Sequence, residues 1–170
     1  MVPSGKMIVV LPALASGQQG SSSSPELQGE RKVSADPATD SIVYKDTKYG
    51  FTFSLPSGWK GYAIVVDKWE GDNREKGAVE GGPMIRIRHP GWTKENPRQD
   101  IPLMIFSLAQ WEAVEQGAFV FGASQVSPSE IGRNRKYVFA IFPRFNPDVA
   151  GVREVELILQ HGPLHPIWSK

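Results

Sequence analysis

Residues Tyr49–Trp59 read YGFTFSLPSGW, and the alternation inside this stretch decides the fold class. Phe51, Phe53 and Leu55 fall on one face at period two, with Thr52 and Ser54 on the other, the pattern of a half-buried strand. Pro56 has no N–H to give to a sheet ladder, so the strand ends there. Ser57-Gly58 then supplies a turn, and Trp59 is a large aromatic at the start of the next segment.

Upstream, Ile42-Val43-Tyr44 is a short strand and Asp46-Thr47-Lys48 is turn chemistry, which together predict an N-terminal hairpin. Downstream, Trp59–Lys68 (WKGYAIVVDK) is rich in aromatic and branched residues and predicts the next strand. Gly71–Gly82 is polar and glycine-rich, carries both charge signs and lacks an apolar period. It is expected to be a mobile surface loop. Met84–His89 (MIRIRH) alternates, with Ile85 and Ile87 facing one way and Arg86 and Arg88 the other, until Pro90-Gly91 stops it.

Trp92–Asp100 is a polar connection, and Ile101–Phe106 (IPLMIF) is a nearly continuous apolar run suited to a central strand covered on both faces. Pro102 is tolerable only near its start. Ser107-Leu108-Ala109-Gln110 fits a capping box, followed by a one-sided stripe of Leu108, Trp111 and Val114 and a stop at Gly117. Phe119–Phe121 predicts a small strand, Ser127–Asn134 a loop with room for one helical turn at Pro128-Ser129-Glu130, and Lys136–Phe142 another strand. In the last helix Asn146 caps, Pro147 takes the first position and Asp148 suits the positive end of the dipole. Val149, Val152, Val155 and Ile158 or Leu159 line one face as far as Gly162-Pro163, and Leu164–Lys170 is a tail with no evident partner.

With 170 residues, 40% of them hydrophobic and 22% charged, the chain suits one globular domain. The series is not an alternation of strand and helix. It predicts α+β over 41–162, an antiparallel sheet with two or more helices packed on it, and a tail over 163–170. A net charge of +1 gives no electrostatic reason to expect nucleic acid, and the absence of cysteine excludes disulfides, thiolate metal sites and a thiol nucleophile.

The first forty residues read differently. Lys6 precedes the apolar run Met7–Ala15, and Ala13-Leu14-Ala15 has the form of a signal-peptidase site, so cleavage after Ala15 and an extracytoplasmic location, periplasmic or secreted, are expected. If the run is instead a buried strand, the protein is cytoplasmic. The run is too short to span a bilayer. Leu14-Ala15-Ser16 resembles the start of a lipobox, but Gly17 stands where a lipidated Cys is required, so no lipid anchor forms at this site. Residues 16–40 are polar and predict a disordered linker.

The sequence carries few motifs of chemistry. His161 and His165 are four apart, but Gly162-Pro163 breaks any helix that would align them, so no metal site is expected. Ser57 lacks a nucleophile motif, and Gly77, Gly81 and Gly82 form no phosphate-binding loop, so neither a catalytic residue nor a cofactor is assigned. One constellation remains. Arg86, Arg88, His89, Trp92, Asn96, Arg98, Gln99 and Asp100 crowd into one stretch, with Arg144 and Asn146 on a neighbouring strand end. Arg86, Arg88, His89, Trp92, Arg98 and Arg144 are the candidate ligand- or partner-binding residues, because guanidinium groups beside a Trp suit a carboxylate or a planar group. The competing reading is that Arg98 and Asp100 brace a long loop through hydrogen bonds to its backbone.

The segment YGFTFSLPSGWKGY resembles the opening of PsbP/Mog1-like domains. The longer strings GPMIRIRHPGWTKENPRQDIPLMIFSLAQW and GRNRKYVFAIFPRFN are similar to a family of uncharacterised exported bacterial proteins, many of them lipoproteins, over roughly Tyr44 to Leu159. The resemblance implies a PsbP/Mog1-like α+β sandwich outside the cytoplasm. It also implies a non-catalytic module that binds a protein or a cell-envelope component. The alternative is a small-ligand-binding or hydrolytic domain with a pocket near Arg86, Arg88 and Arg144.

Overall fold

The computed structural model describes residues 41–122 and 126–168. The expected signal peptide and linker lie outside the described residues. Strands β1 (Ile42–Asp46) and β2 (Phe51–Leu55) form the expected hairpin, with Phe51 paired to Asp46 and Leu55 to Ile42. Its turn closes as the sequence suggests, since Asp46 Oδ1 accepts from the Tyr49 N–H at 2.8 Å and the Asp46 carbonyl accepts from the Gly50 N–H at 3.0 Å. Phe51, Phe53 and Leu55 are buried.

After β2 the chain makes a 3-10 turn at Ser57–Trp59, and β3 begins only at Ala63. Trp59 is therefore the end of the turn and not the start of the strand. Its ring is 1% exposed. Gly71–Gly82 is not a loop. β3 (Ala63–Asn73) and β4 (Ala78–Arg88) pair in unbroken register from Ala63–Arg88 to Asn73–Ala78, with the turn confined between Asn73 and Ala78. Asn73, buried, holds that turn by accepting from the N–H groups of Glu75 and Lys76 through its side chain.

β5 (Ile101–Ser107) lies in the middle of a six-stranded sheet of order β6-β3-β4-β5-β8-β7, where β6 is Phe119–Val120, β7 Ser129–Arg133 and β8 Tyr137–Ile141. The pairings along it are antiparallel. The segment read as a loop at Ser127–Asn134 is thus mostly strand. As an edge strand with a register shift between Glu130 and Gly132 it lacks the alternation that would have marked it. At the other side, β6 covers β3 only at Asp72 and Asn73, which leaves the rest of β3 an open edge among the described residues.

A hydrophobic core lies against each face of the sheet. On one, Ile85, Ile87, Ile101, Leu103, Ile105, Phe139 and Ile141 meet β2, Trp59 and helix α2 (Val152–Gln160). On the other, Trp69, Met104, Phe106, Val138 and Ala140 meet helix α1 (Leu108–Glu115), Phe119 and Phe121. The capping box at the start of α1 is present, with the Ser107 side chain accepting from the Gln110 N–H and the Gln110 side chain accepting from the Ser107 N–H. Of the expected stripe Trp111 and Val114 are buried, while Leu108 points outward.

α2 starts later than Asn146-Pro147 suggests. Asn146 caps a separate turn, accepting from the Asp148 N–H at 3.1 Å, and the helix is preceded by Gly151 at φ +83°. Val152, Val155 and Ile158 then face the core. The expected tail also has a partner. β9 (Leu164–Pro166) pairs antiparallel with β2, completing a three-stranded sheet β1-β2-β9, and Leu164 is buried. The architecture is α+β, as expected.

Candidate functional site

Strand parity divides the expected arginine cluster. Arg86 and Arg88 lie on the α1 side of β4, opposite in sense to Ile85 and Ile87. There Arg86 Nη2 pairs with Asp67 Oδ2 at 2.6 Å. Arg88 forks onto Asp100, Nε to Oδ1 at 3.1 Å and Nη2 to Oδ2 at 2.8 Å, and its guanidinium carbon lies 3.9 Å from the centroid of the Trp92 ring. The hydrogen bonds to Asp100 hold the Arg88 guanidinium above the ordinary arginine range against the opposing effect of burial.

His89 belongs to the α2 side, edge-on to Trp59 with ring centroids 5.0 Å apart. Its Nδ1 accepts from the Gly91 N–H at 2.9 Å. Burial, and then the nearby Arg98 charge, lower its pKa below the usual histidine value, with Glu154 opposing. Arg98 Nη2 donates to Glu154 Oε2 at 2.9 Å while Trp59 Nε1 donates to Glu154 Oε1 at 3.0 Å, so one carboxylate on α2 ties the 89–100 connection to the turn after β2. The Arg98–Ala150 bridge adds a Gln99 N–H to Ala150 carbonyl bond of 2.8 Å. Arg144 is exposed on the connection between β8 and α2, and no ion pair or hydrogen bond among the described residues joins it to the others.

The candidate arginines are therefore divided among three ion pairs, Arg86–Asp67 and Arg88–Asp100 on one face of the sheet and Arg98–Glu154 on the other, with Arg144 joined to none of them among the described residues. Arg98 and Asp100 do brace the connection, but through ion pairs with the Glu154 and Arg88 side chains and not through hydrogen bonds to its backbone. A shallow hollow along the β3 edge is lined by Val66, Asp67, Lys68 and Glu70, with none of the candidate residues in its wall. Among the described residues no group of three or more His, Asp or Glu side chains could hold a metal ion.

A different concavity, of about 310 Å³, lies between the β1–β2 turn, the β7–β8 turn and the end of β9. It is lined by Thr47, Lys48, Tyr49 and Gly50 from the first, Asn134, Arg135, Lys136 and Tyr137 from the second, and Ile167 with Trp168 from the third. Asn134 forms its floor. The Asn134 amide donates to the carbonyls of Tyr49 and Gly50 at 2.8 and 3.1 Å, and its Oδ1 accepts from the N–H groups of Lys136 and Tyr137, both at 2.9 Å. The Ile167 N–H donates to the Gly50 carbonyl at 2.8 Å, bringing the C-terminal segment alongside. Gly50 needs to be glycine here, since its φ is +74° and an added Cβ would sit 3.2 Å from Asn134 Nδ2.

None of these residues was singled out for chemistry in the sequence. The basic run Arg135-Lys136 next to Tyr137 was the available signal, and it pointed nowhere until Tyr49 and Trp168 came alongside it. Compared with protein-family models, curated proteins and solved structures, the chain matches none. Among the described residues no helix is long and apolar enough to cross a membrane.

Proposed function

We propose that this domain is a non-catalytic binding module that works outside the cytoplasm and holds a protein partner of the cell envelope. The observation that carries the reading is that Arg86, Arg88 and Arg98 are divided between two faces and paired with acids of this domain. Asp67, Asp100 and Glu154 are each committed to a guanidinium, so the stretch densest in polar chemistry is a set of braces and not a convergent site with a free acid, base or nucleophile. The likeness to PsbP/Mog1-like domains, which act by binding, supports the reading as analogy alone. Location rests on the Met7–Ala15 run and its A-x-A end.

Three measurements test this. N-terminal sequencing of protein recovered from cells should begin at Ser16, and in-cell cross-linking should yield a discrete adduct with an envelope protein. Purified protein should show no turnover of ester, phosphate or glycoside reporters above buffer. Turnover that disappears in an Asp100→Asn or Glu154→Gln variant of unchanged melting temperature would replace binding by catalysis.

A further inference from the structure

The groove at the β1–β2 and β7–β8 turns has a charge pattern that the whole chain lacks. The chain carries 19 Lys and Arg against 18 Asp and Glu, yet among the described residues the groove is lined by Lys48, Arg135 and Lys136 and by no Asp or Glu. The adjacent acid, Asp46, is not in the lining and is engaged within its own turn, Oδ1 accepting from the Tyr49 N–H and Oδ2 from the Tyr44 hydroxyl. Lys48, Arg135 and Lys136 have no ion-pair partner among the described residues and are exposed. Between them stand aromatic faces. Tyr49 and Tyr137 meet edge to face with centroids 5.4 Å apart, Lys48 Nζ lies 5.0 Å from the Tyr49 centroid, and Trp168 is 60% exposed.

An exposed indole beside two tyrosines and three cations can satisfy a ligand that carries both negative charge and a flat or apolar group. The volume is at the lower limit of roughly 300 Å³ for small-molecule sites and the groove is partly open at the surface, which suits a ligand lying across it better than one sealed inside. Three cations also fall short of the roughly 4–8 that mark a surface for anionic lipid. A segment of another protein needs neither enclosure nor a broad basic field. Its backbone can lie across the groove while single side chains enter it.

We infer that this groove binds an acidic peptide segment of a protein partner, with its carboxylates among Lys48, Arg135 and Lys136 and a neighbouring aromatic or apolar side chain against Tyr49, Tyr137 and Trp168. The inference rests on the reading of the domain as a binding module and locates its contact surface away from the arginine face. Asn134 ties the backbones of the two turns together by donating to the Tyr49 and Gly50 carbonyls.

The probe is a capped peptide of alternating glutamate and phenylalanine, titrated into full-length protein by calorimetry and by amide and indole NMR. Shifts should concentrate at Gly50, Lys136, Tyr137 and the Trp168 indole. Affinity should fall about tenfold or more in a Lys48→Glu/Lys136→Glu variant, and also as salt is raised. Replacing phenylalanine by alanine in the peptide should weaken binding as well. The altered lysines are exposed; should the double charge reversal lower the melting temperature, Lys48→Gln/Lys136→Gln gives the same test with less repulsion. Equal affinity for the charge-reversed variant, or shifts confined to Arg86, Arg88 and Trp92, overturns the inference. So does saturation of the same shifts by inorganic phosphate alone, or by phosphatidylglycerol vesicles in preference to the peptide. If the envelope adduct persists in the charge-reversed variant, the domain binds by another surface and only the groove is wrong; if no adduct forms with either protein, the binding reading itself fails.

Discussion

Trp59 and Trp92 show how far two indoles of one chain can differ. Trp59 is enclosed by the larger core and donates its N–H to Glu154, so truncation leaves both a cavity and an unpaired carboxylate oxygen. Trp92 is half-buried, its ring face covered by the Arg88 guanidinium. Trp59→Ala should cost about 3–5 kcal/mol in denaturant titration. Trp92→Ala should cost about 1 kcal/mol, the scale of a partly exposed cation–π contact. Equal losses would show that the Arg88–Trp92 stack is structurally as important as the core. His89 supports a second prediction at this scale. Its pKa is lowered in the folded protein, so the unfolded chain takes up a proton first as pH falls below about 6.5. Its contribution to stability is present above that value and disappears as pH drops through the folded pKa. Protonation of Nδ1 also removes the acceptor for the Gly91 N–H. His89→Gln should flatten the melting temperature between pH 7.5 and 5.5 relative to wild type, and parallel curves would assign that slope elsewhere.

Among the elements, the β3–β4 hairpin is where sequence and structure part. Glycine was read as loop punctuation over Gly71–Gly82, but here two of the glycines make room for aromatic rings. A Cβ on Gly82 would fall 2.6 Å from Trp69 Nε1, and one on Gly71 would fall 2.9 Å from Phe121 Cε1. Trp69 crosses the sheet at Gly82, stacks on Phe106 at 4.2 Å and donates to the Ile105 carbonyl at 2.8 Å. Glycine within a strand marks such close approach, but only the partner ring reveals it, and that ring comes from another part of the chain. By contrast β2, β5 and the α1 cap were legible because period two, an unbroken apolar run and the Ser-x-x-Gln pair are local signals. Gly82→Ala should therefore destabilise by about 1–3 kcal/mol, as overpacking does. Gly81→Ala is no neutral control, since its Cβ would meet the Trp69 carbonyl at 2.6 Å, whereas Gly58→Ala meets nothing within 4 Å and should change stability by less than about 0.5 kcal/mol. A Gly82→Ala protein as stable as Gly58→Ala would mean that Trp69 can move off the hairpin at little cost.

At the scale of the whole molecule, the N-terminal hairpin and the last strand depend on each other. A domain ending at Gly162 was expected because Leu164–Lys170 lacks a periodic pattern, and a three-residue strand is too short to give one. Only the sheet shows that β9 adds to β2, with Leu164 opposite Phe53 and buried in the larger core. The same pairing carries Ile167 and Trp168 to the Lys48 and Lys136 turns, so the candidate groove is assembled from three distant parts of the chain and was illegible for that reason. Leu164 reaches across to β7 as well, where a Cβ on Gly132 would lie 2.6 Å from its Cδ2. Leu164→Ala should thus lower stability by about 2–5 kcal/mol, the range for a leucine removed from a core. Trp168→Ala, at an exposed position, should change it by less than about 0.5 kcal/mol while weakening the glutamate–phenylalanine peptide. Thermal melts separate the two, because each kcal/mol moves the midpoint by roughly 2–8 °C in a domain of this size. If Leu164→Ala and Trp168→Ala melt together with wild type, β9 is an appendage and not the strand that closes the N-terminal hairpin against the main sheet.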